Sequence, residues 1–400
     1  MDAKLWSGRE VQQVGPRGVR RWKATLVGKE VRTKTSAGAG APRAAVRAHA
    51  TAEAAASELV KALRKKMLDD HVFLRPEAEV GELMFAMALP GGGPADNFDV
   101  TPDGETLLVG AGRGDPKALV VRVSLRTGAI ERFDVPPDRG RSQLFVHGAL
   151  VERDGAAAIV GVNEVVRRLN FKTGTWRQVA SVMHRGQEHV NPFCVEPQRD
   201  AAHRRILLVS GDRLEVRELA TGAALLTTPI GTRTAECRRI ALSPSGELAA
   251  AHVISRHLVY GHEDAAKDTT DEVQVWRVAD GARIAAIPAG TGGQEPASLA
   301  VTPDDRALLL DAGRALVCVD LASLVRTRVL AESSGAVWNW TPAGELAVFD
   351  GVTLNRRSAP QFRARGAMTL EAQRGQRLRC VPGLAIVGGA GLFCVYRMKW

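Results

Sequence analysis

From about residue 80 to the end of the chain, short apolar runs alternate with Gly, Pro and Asp turns, and helical periodicity disappears. Such punctuation predicts an all-β region built from short strands. One unit recurs: a strand, a Thr-Gly or Asp-Gly turn, and a second strand. It reads LVVRVSLRTGAI over 119–130, VVRRLNFKTGTW over 165–176, LEVRELATGAAL over 214–225 and VQVWRVADGARI over 273–284. LVCVDLASLVRT, at 316–327, keeps the pattern without the glycine. The turn residues Gly128, Gly174, Gly222 and Gly281 recur at a nearly even spacing, with the last interval lengthened. A tight hairpin asks for a residue that tolerates positive φ, and glycine does so without a steric penalty.

A second landmark precedes the hairpins. Thr101-Pro102-Asp103-Gly104, Ser243-Pro244-Ser245-Gly246, Thr302-Pro303-Asp304-Asp305 and Thr341-Pro342-Ala343-Gly344 each join one strand to its neighbour, and an apolar run follows. Glu152-Arg153-Asp154-Gly155 and Val195-Glu196-Pro197 do the same less cleanly. Four strands in every roughly 40–50 residues is the period of a propeller blade. The spans 96–135, 144–182, 190–229, 236–288, 297–331, 334–365 and 370–400 make seven. The last shows only three strands, and Leu83–Leu89 is placed to supply the fourth, which would remove the open edges of the array. The expected fold class is mainly β: a seven-bladed β-propeller over 83–400, preceded by a small α+β module. A pair of β-sandwiches is the alternative. The repeats resemble WD-repeat and related bacterial propellers in architecture; Trp-Asp dipeptides are absent.

The chain up to Arg75 follows another pattern. WKATLVGKEV, at 22–31, reads as two strands around a turn at Gly28, SAGAGAP at 36–42 as a small-residue loop, and Arg43–His49 as a further strand. A helix follows over Ala52–Leu68, with Thr51 as N-cap and Glu53 in the first turn, where the helix dipole favours an acid. Ala56, Leu59, Val60, Leu63 and Met67 form an apolar stripe, and Lys61, Arg64 and Lys65 occupy another face. Trp22, Leu26-Val27-Gly28-Lys29-Glu30-Val31, Ala50-Thr51-Ala52-Glu53-Ala54-Ala55 and the helix end Lys65-Lys66-Met67 resemble a WGR domain over about 22–74. This module occurs in DNA-dependent poly(ADP-ribose) polymerases and in various bacterial proteins. Where that family carries Trp-Gly-Arg-Ile-Gly, this chain has Thr35-Ser36-Ala37-Gly38-Ala39-Gly40. The DNA and interdomain contacts made by the family's Trp and Arg are therefore not carried over. Residues 1–21 are expected to be a basic extension, 22–75 the WGR-like module, and Arg75–Glu82 a short linker.

Charge sharpens this division. The chain has 54 Lys and Arg against 44 Asp and Glu, a net +10, and residues 1–75 alone carry +9 of it. Such asymmetry is the footprint of a part that meets a polyanion. The residues expected to do so are Lys29, Arg32, Lys34, Arg43, Arg47, Lys61, Arg64 and Lys65. Phosphate contact needs only cations and backbone donors, so such binding to DNA or RNA would be salt-sensitive and nearly sequence-blind.

Elsewhere the chemistry is thin. An insertion between Ala251 and Glu272 carries His252, His257, Tyr260, His262, Asp264, Asp268 and Asp271, whose histidine spacing matches no zinc motif. His257, Tyr260, His262, Asp264 and Asp268 are expected to form an acidic recognition loop for a protein partner. Trp338 and Trp340 are expected to pack in the core, and the five scattered cysteines to be buried thiols without C-x-x-C spacing. No nucleophile motif or phosphate-binding glycine loop is present. The leading expectation is a cytoplasmic, non-catalytic scaffold with no cofactor or metal and no membrane association. The alternative is a propeller enzyme resembling lactonases or quinoprotein-like dehydrogenases, with Asn97, Asp99, Asn191 and Asn339 near a channel-bound metal.

Overall fold

The computed structural model describes residues 3–16, 18–38, 40–89, 97–115, 117–137, 144–163, 165–181, 196–230, 235–255, 270–289, 298–311, 315–330, 336–370, 377–389 and 391–400. The chain divides into two compact units, one comprising residues 1–112, 119–134 and 335–400, the other 113–118 and 135–334.

The first unit opens with α1 (Ala3–Trp6), β1 (Glu10–Gly15), β2 (Gly18–Val27), β3 (Glu30–Ala37), β4 (Arg43–Ala48), α2 (Ala52–Leu68), β5 (Val72–Leu74) and β6 (Leu83–Ala88). The segment expected to be an N-terminal extension thus holds α1 and β1. Helix α2 has the expected limits, and Thr51 caps it by accepting the Ala54 N–H at 3.1 Å. Its buried stripe is Ala55, Leu59, Leu63 and Met67, spaced by four. This stripe meets Trp22, Ala24 and Val31 of the sheet. Ala56 and Val60, expected in the stripe, are only half-buried.

The residues expected to be a linker form a hairpin turn instead. β5 pairs with β6, with Phe73 opposite Ala86 and Leu74 opposite Phe85, and the Arg75 N–H donates to the Met84 carbonyl at 2.7 Å. β6 in turn pairs with the chain's final strand, Leu392–Arg397. The result is one nine-stranded sheet ordered 377–381, 384–389, 392–397, β6, β5, β1, β2, β3, β4. All six side chains of β6 are buried. A single apolar cluster runs from Leu59 and Leu63 of α2 through Ala86 to Tyr396 and Phe349. The N-terminal module therefore shares its core with the C-terminal strands.

Two four-stranded sheets complete this unit: Phe98–Val100, Thr106–Ala111, Leu119–Ser124 and Ile130–Asp134, then Val337–Trp340, Glu345–Phe349, Thr353–Ser358 and Arg363–Thr369. The first packs against the nine-stranded sheet through Phe98 and Phe393, whose rings meet edge-on at 5.2 Å. The Leu125–Ile130 hairpin approaches the module itself. Gln12 Nε2 donates to the Thr127 carbonyl at 3.2 Å, and Arg132 pairs with Asp70.

The second unit holds four antiparallel sheets. They span 144–181 (with Arg113–Asp115 added), 198–229, 235–288 and 299–330. In both units the second strand of each sheet is buried on both faces, as in Ala157–Val162 and Leu308–Asp311, whereas fourth strands such as Arg363–Thr369 are largely exposed. Sheets stacked face to face demand this apolar second strand.

The recurring landmark has a polar purpose. In the four copies that carry one, a buried Ser or Thr hydroxyl accepts the N–H that opens the next strand: Thr101 from Thr106 at 3.0 Å, Ser243 from Leu248 at 3.0 Å, Thr302 from Ala307 at 2.9 Å and Thr341 from Glu345 at 3.0 Å. Thr101 and Thr302 also donate to the Asp two residues on, at 2.5 and 2.7 Å. The hydroxyl thereby satisfies a backbone donor that the turn would otherwise bury unpaired.

Candidate functional site

Strand register sorts the module's cations onto two surfaces. Trp22, Ala24, Leu26 and Val31 face α2, so the alternate residues Arg21, Lys23, Arg32 and Lys34 share the opposite face, and all four are exposed. Lys23 stands directly across from Lys34 on β3 and from Glu10 on β1, and neither lysine forms an ion pair among the described residues. Like charges in direct register destabilise a sheet, and Glu10, shared between Lys23 and Arg21, offsets that cost only in part. Arg21 lies 3.5 Å from Glu10, and Arg32 lies 3.0 Å from Glu30.

The second surface is α2 and the edge beside it. Lys61, Arg64 and Lys65 are exposed away from the buried stripe. Arg43 and Arg47 share the α2 side of β4, where Arg47 pairs with Glu58 at 2.9 Å. Lys29 sits in the β2–β3 turn. The eight expected residues thus do not form one patch: Arg32 and Lys34 lie on one side of the sheet, and Arg43, Arg47, Lys61, Arg64 and Lys65 on the other. Sequence reasoning missed Arg21 and Lys23, although their alternation with buried Trp22 and Ala24 carries the signal.

Comparison with solved structures decides the architecture of the rest. A chain of a mitotic checkpoint complex matches with a TM-score of 0.56 at 13% identity, over 82% of this chain and 95% of that one. A chain of hydrazine synthase from Kuenenia stuttgartiensis matches with a TM-score of 0.51 at 14% identity, over 78% and 96%. The fold is a β-propeller. No family model matches this sequence, and no curated protein does. The six separate sheets are blades of that propeller.

Three of the propeller's candidate residues, His252, Asp271 and Asn339, take part in hydrogen bonds between strands. His252 and Asp271, expected at the ends of an insertion, belong to the paired strands Leu248–Ser255 and Thr270–Arg277 of one blade. His252 is fully buried, and its Nε2–H donates to Asp271 Oδ1 at 2.7 Å. His257, Tyr260, His262, Asp264 and Asp268 lie outside the described residues. Asn339 accepts the Cys380 N–H at 3.4 Å, and Trp340 packs 6.4 Å from Phe362, half-buried. Asn191 lies outside the described residues, and no group of three His, Cys, Asp or Glu able to hold a metal ion occurs among those described. Burial pushes the thiols up, that of Cys318 to about 11 and that of Cys394 to about 12, so neither is a thiolate nucleophile at neutral pH. No helix among the described residues is long and apolar enough to cross a membrane.

His71, where α2 turns into β5, supplies a pH dependence. The residue is 7% exposed, and burial, aided by Lys66, holds its pKa below the ordinary 6.5 despite the Asp69 carbonyl 3.1 Å from Nδ1. Above that value both folded and unfolded chains are neutral here and nothing is lost. As pH falls below it the unfolded chain takes the proton first, and stability drops until the folded ring also titrates. His71→Gln is expected to flatten the fall in melting temperature between about pH 7 and 5, a window set by the reference histidine pKa. Identical slopes for the two proteins would assign the acid sensitivity elsewhere.

Proposed function

We propose that this chain is a non-catalytic adaptor: a seven-bladed propeller that binds protein partners, carrying a basic, WGR-like module that contacts DNA, RNA or another polyanion. The observation that supports the second half is the pair Lys23 and Lys34, set face to face on an open sheet surface. Arg21 and Arg32 flank them, and Lys61, Arg64 and Lys65 lie on the far side of the module. Phosphates would relieve the mutual repulsion of these cations, and release of counterions would drive association. The seventh blade is read in the strands 377–381, 384–389 and 392–397 with β6 as fourth strand, an antiparallel order like that of the six separate blades. For the propeller, the likeness to a chain of a mitotic checkpoint complex is consistent with protein partners.

Because the module shares a sheet with the propeller, its contribution is best tested by charge reversal in the full chain. Two variants, Lys23→Glu/Lys34→Glu and Lys61→Glu/Arg64→Glu/Lys65→Glu, are compared with the parent for retention on single- and double-stranded DNA and on RNA. Loss of each phosphate contact is expected to reduce the salt dependence of binding by roughly 0.7–0.9 in log–log slope. The surface that meets nucleic acid should lose about 10-fold or more in affinity at low salt. Unchanged retention and slope in both variants would remove the nucleic-acid role.

A further inference from the structure

β4 ends the nine-stranded sheet, and no strand pairs with its far side among the described residues. The direction of its free backbone groups follows from one hydrogen bond. The His49 N–H donates to the Lys29 carbonyl at 2.9 Å, which makes Lys29 and His49 a hydrogen-bonded pair. The β3–β4 register runs on from there without a shift: Val31 opposite Arg47, Thr33 opposite Ala45, Thr35 opposite Arg43. Hydrogen-bonded pairs alternate along an antiparallel ladder, so these residues point their backbone groups at β3. The N–H and C=O groups of Ala44, Val46 and Ala48 therefore point away from the sheet, and Val46 is 63% exposed.

The edges of the blades are treated differently. In five of the six separate sheets the fourth strand joins the third through a β-bulge, and two of those fourth strands end in Pro229 and Pro288. Bulges and prolines spoil an edge for further pairing. β4 has neither within its six residues.

We propose that β4 captures an extended segment of a protein partner by strand addition, and that this segment alternates acidic with β-branched apolar residues. One face of the added strand would lie beside Arg43 and Arg47, on the α2 side of the sheet. Arg47 is shared with Glu58, so that face stays net positive and selects carboxylates. The other face would lie beside the small side chains of Ala44, Val46 and Ala48, which leave room for Val, Ile or Thr. Charge argues against a second copy of this chain. Antiparallel pairing of β4 with itself would crowd four arginines onto one face. Nucleic acid has no amide ladder to offer Ala44, Val46 and Ala48. Strand addition is one of the recurring modes of peptide capture, with main-chain bonds giving affinity and alternate side chains giving specificity.

The test uses the full chain and the capped peptide Glu-Val-Glu-Val-Glu-Val-Glu. Binding is followed by titration, and the site by hydrogen exchange of the peptic fragment covering residues 43–49. The peptide is expected to slow exchange there, and Arg43→Glu/Arg47→Glu to weaken binding about 10-fold or more, as expected for two charge reversals. The same variant should then accept Lys-Val-Lys-Val-Lys-Val-Lys, a rescue that misfolding could not produce. Val46→Pro removes one outward N–H and should abolish the slowed exchange. Four results would overturn the proposal: equal binding of a peptide with the same residues in non-alternating order, undiminished binding to Val46→Pro, protection of 43–49 by an oligonucleotide but not by the peptide, or the same protection from self-association of the chain. None of these depends on whether the charge-reversed variants above lose nucleic acid, so the two readings stand or fall separately.

Discussion

Replacing Phe85 with Ala is expected to lower stability by about 3–5 kcal/mol, the usual cost of deleting a fully buried ring. The residue has no solvent exposure, stands opposite Leu74 on β5 and Val395 on the final strand, and packs in the cluster that holds Phe98 and Phe393. Its position makes the loss informative as well as large. β6 is the strand through which the N-terminal module and the C-terminal strands become one sheet, so a cavity there should loosen both. Hydrogen exchange of α2 and of the segment 392–397, followed through a urea titration, should show the two losing protection together. If α2 persisted while the final strand opened, the continuity of the sheet through β6 would not couple the module to the C-terminal strands.

Gly128→Ala is expected to cost about 2–4 kcal/mol, while Gly174→Ala and Gly222→Ala cost about 1 each. All three glycines occupy equivalent hairpin turns with φ of +76°, +66° and +74°, so all three variants carry the same backbone strain. Only at Gly128 would the new methyl have nowhere to go. It would lie 2.7 Å from Cγ2 of the fully buried Val72 and 3.4 Å from Gln12 Nε2. At Gly174 and Gly222 nothing stands within 4 Å. Thermal melts of the three variants give the comparison directly. Equal destabilisation would mean that the module yields readily where the hairpin meets it.

These two residues also mark where reading the chain succeeded and where it ran out. The turn glycines were legible because a hairpin with positive φ leaves a local mark in each repeat, as at Gly128, Gly174, Gly222 and Gly281. So was α2, whose cap and stripe are written into one short segment. What escaped was long-range. β1 was hidden because EVQQVG is too polar to read as a strand in isolation; its pairing with β2 and β5 makes it one. Arg75–Glu82 has the Pro and charge content of a linker, yet it is a hairpin turn because β5 and β6 meet on either side of it. The candidate site suffered in the same way. Eight cations could be named from composition and order, but their division between two faces, and the place of Arg21 and Lys23 beside Arg32 and Lys34, follow only from the strand register. His252 and Asp271 looked like loop residues near an insertion, and strand pairing instead buries the histidine against the carboxylate.

The amino-acid sequence by itself determined the local grammar: the number and spacing of hairpins, the hydroxyl-bearing turns between strands, the capped helix and the concentration of positive charge ahead of Pro76. These depend on backbone preference, side-chain period and composition, all of which act over a few neighbouring positions. Only the tertiary structure decided which strand completes which sheet, that the basic module shares a sheet with the C-terminal strands, and that β4 ends that sheet. Those outcomes depend on hydrogen bonds between strands far apart in the chain, such as β6 with the final strand, and no local pattern specifies them.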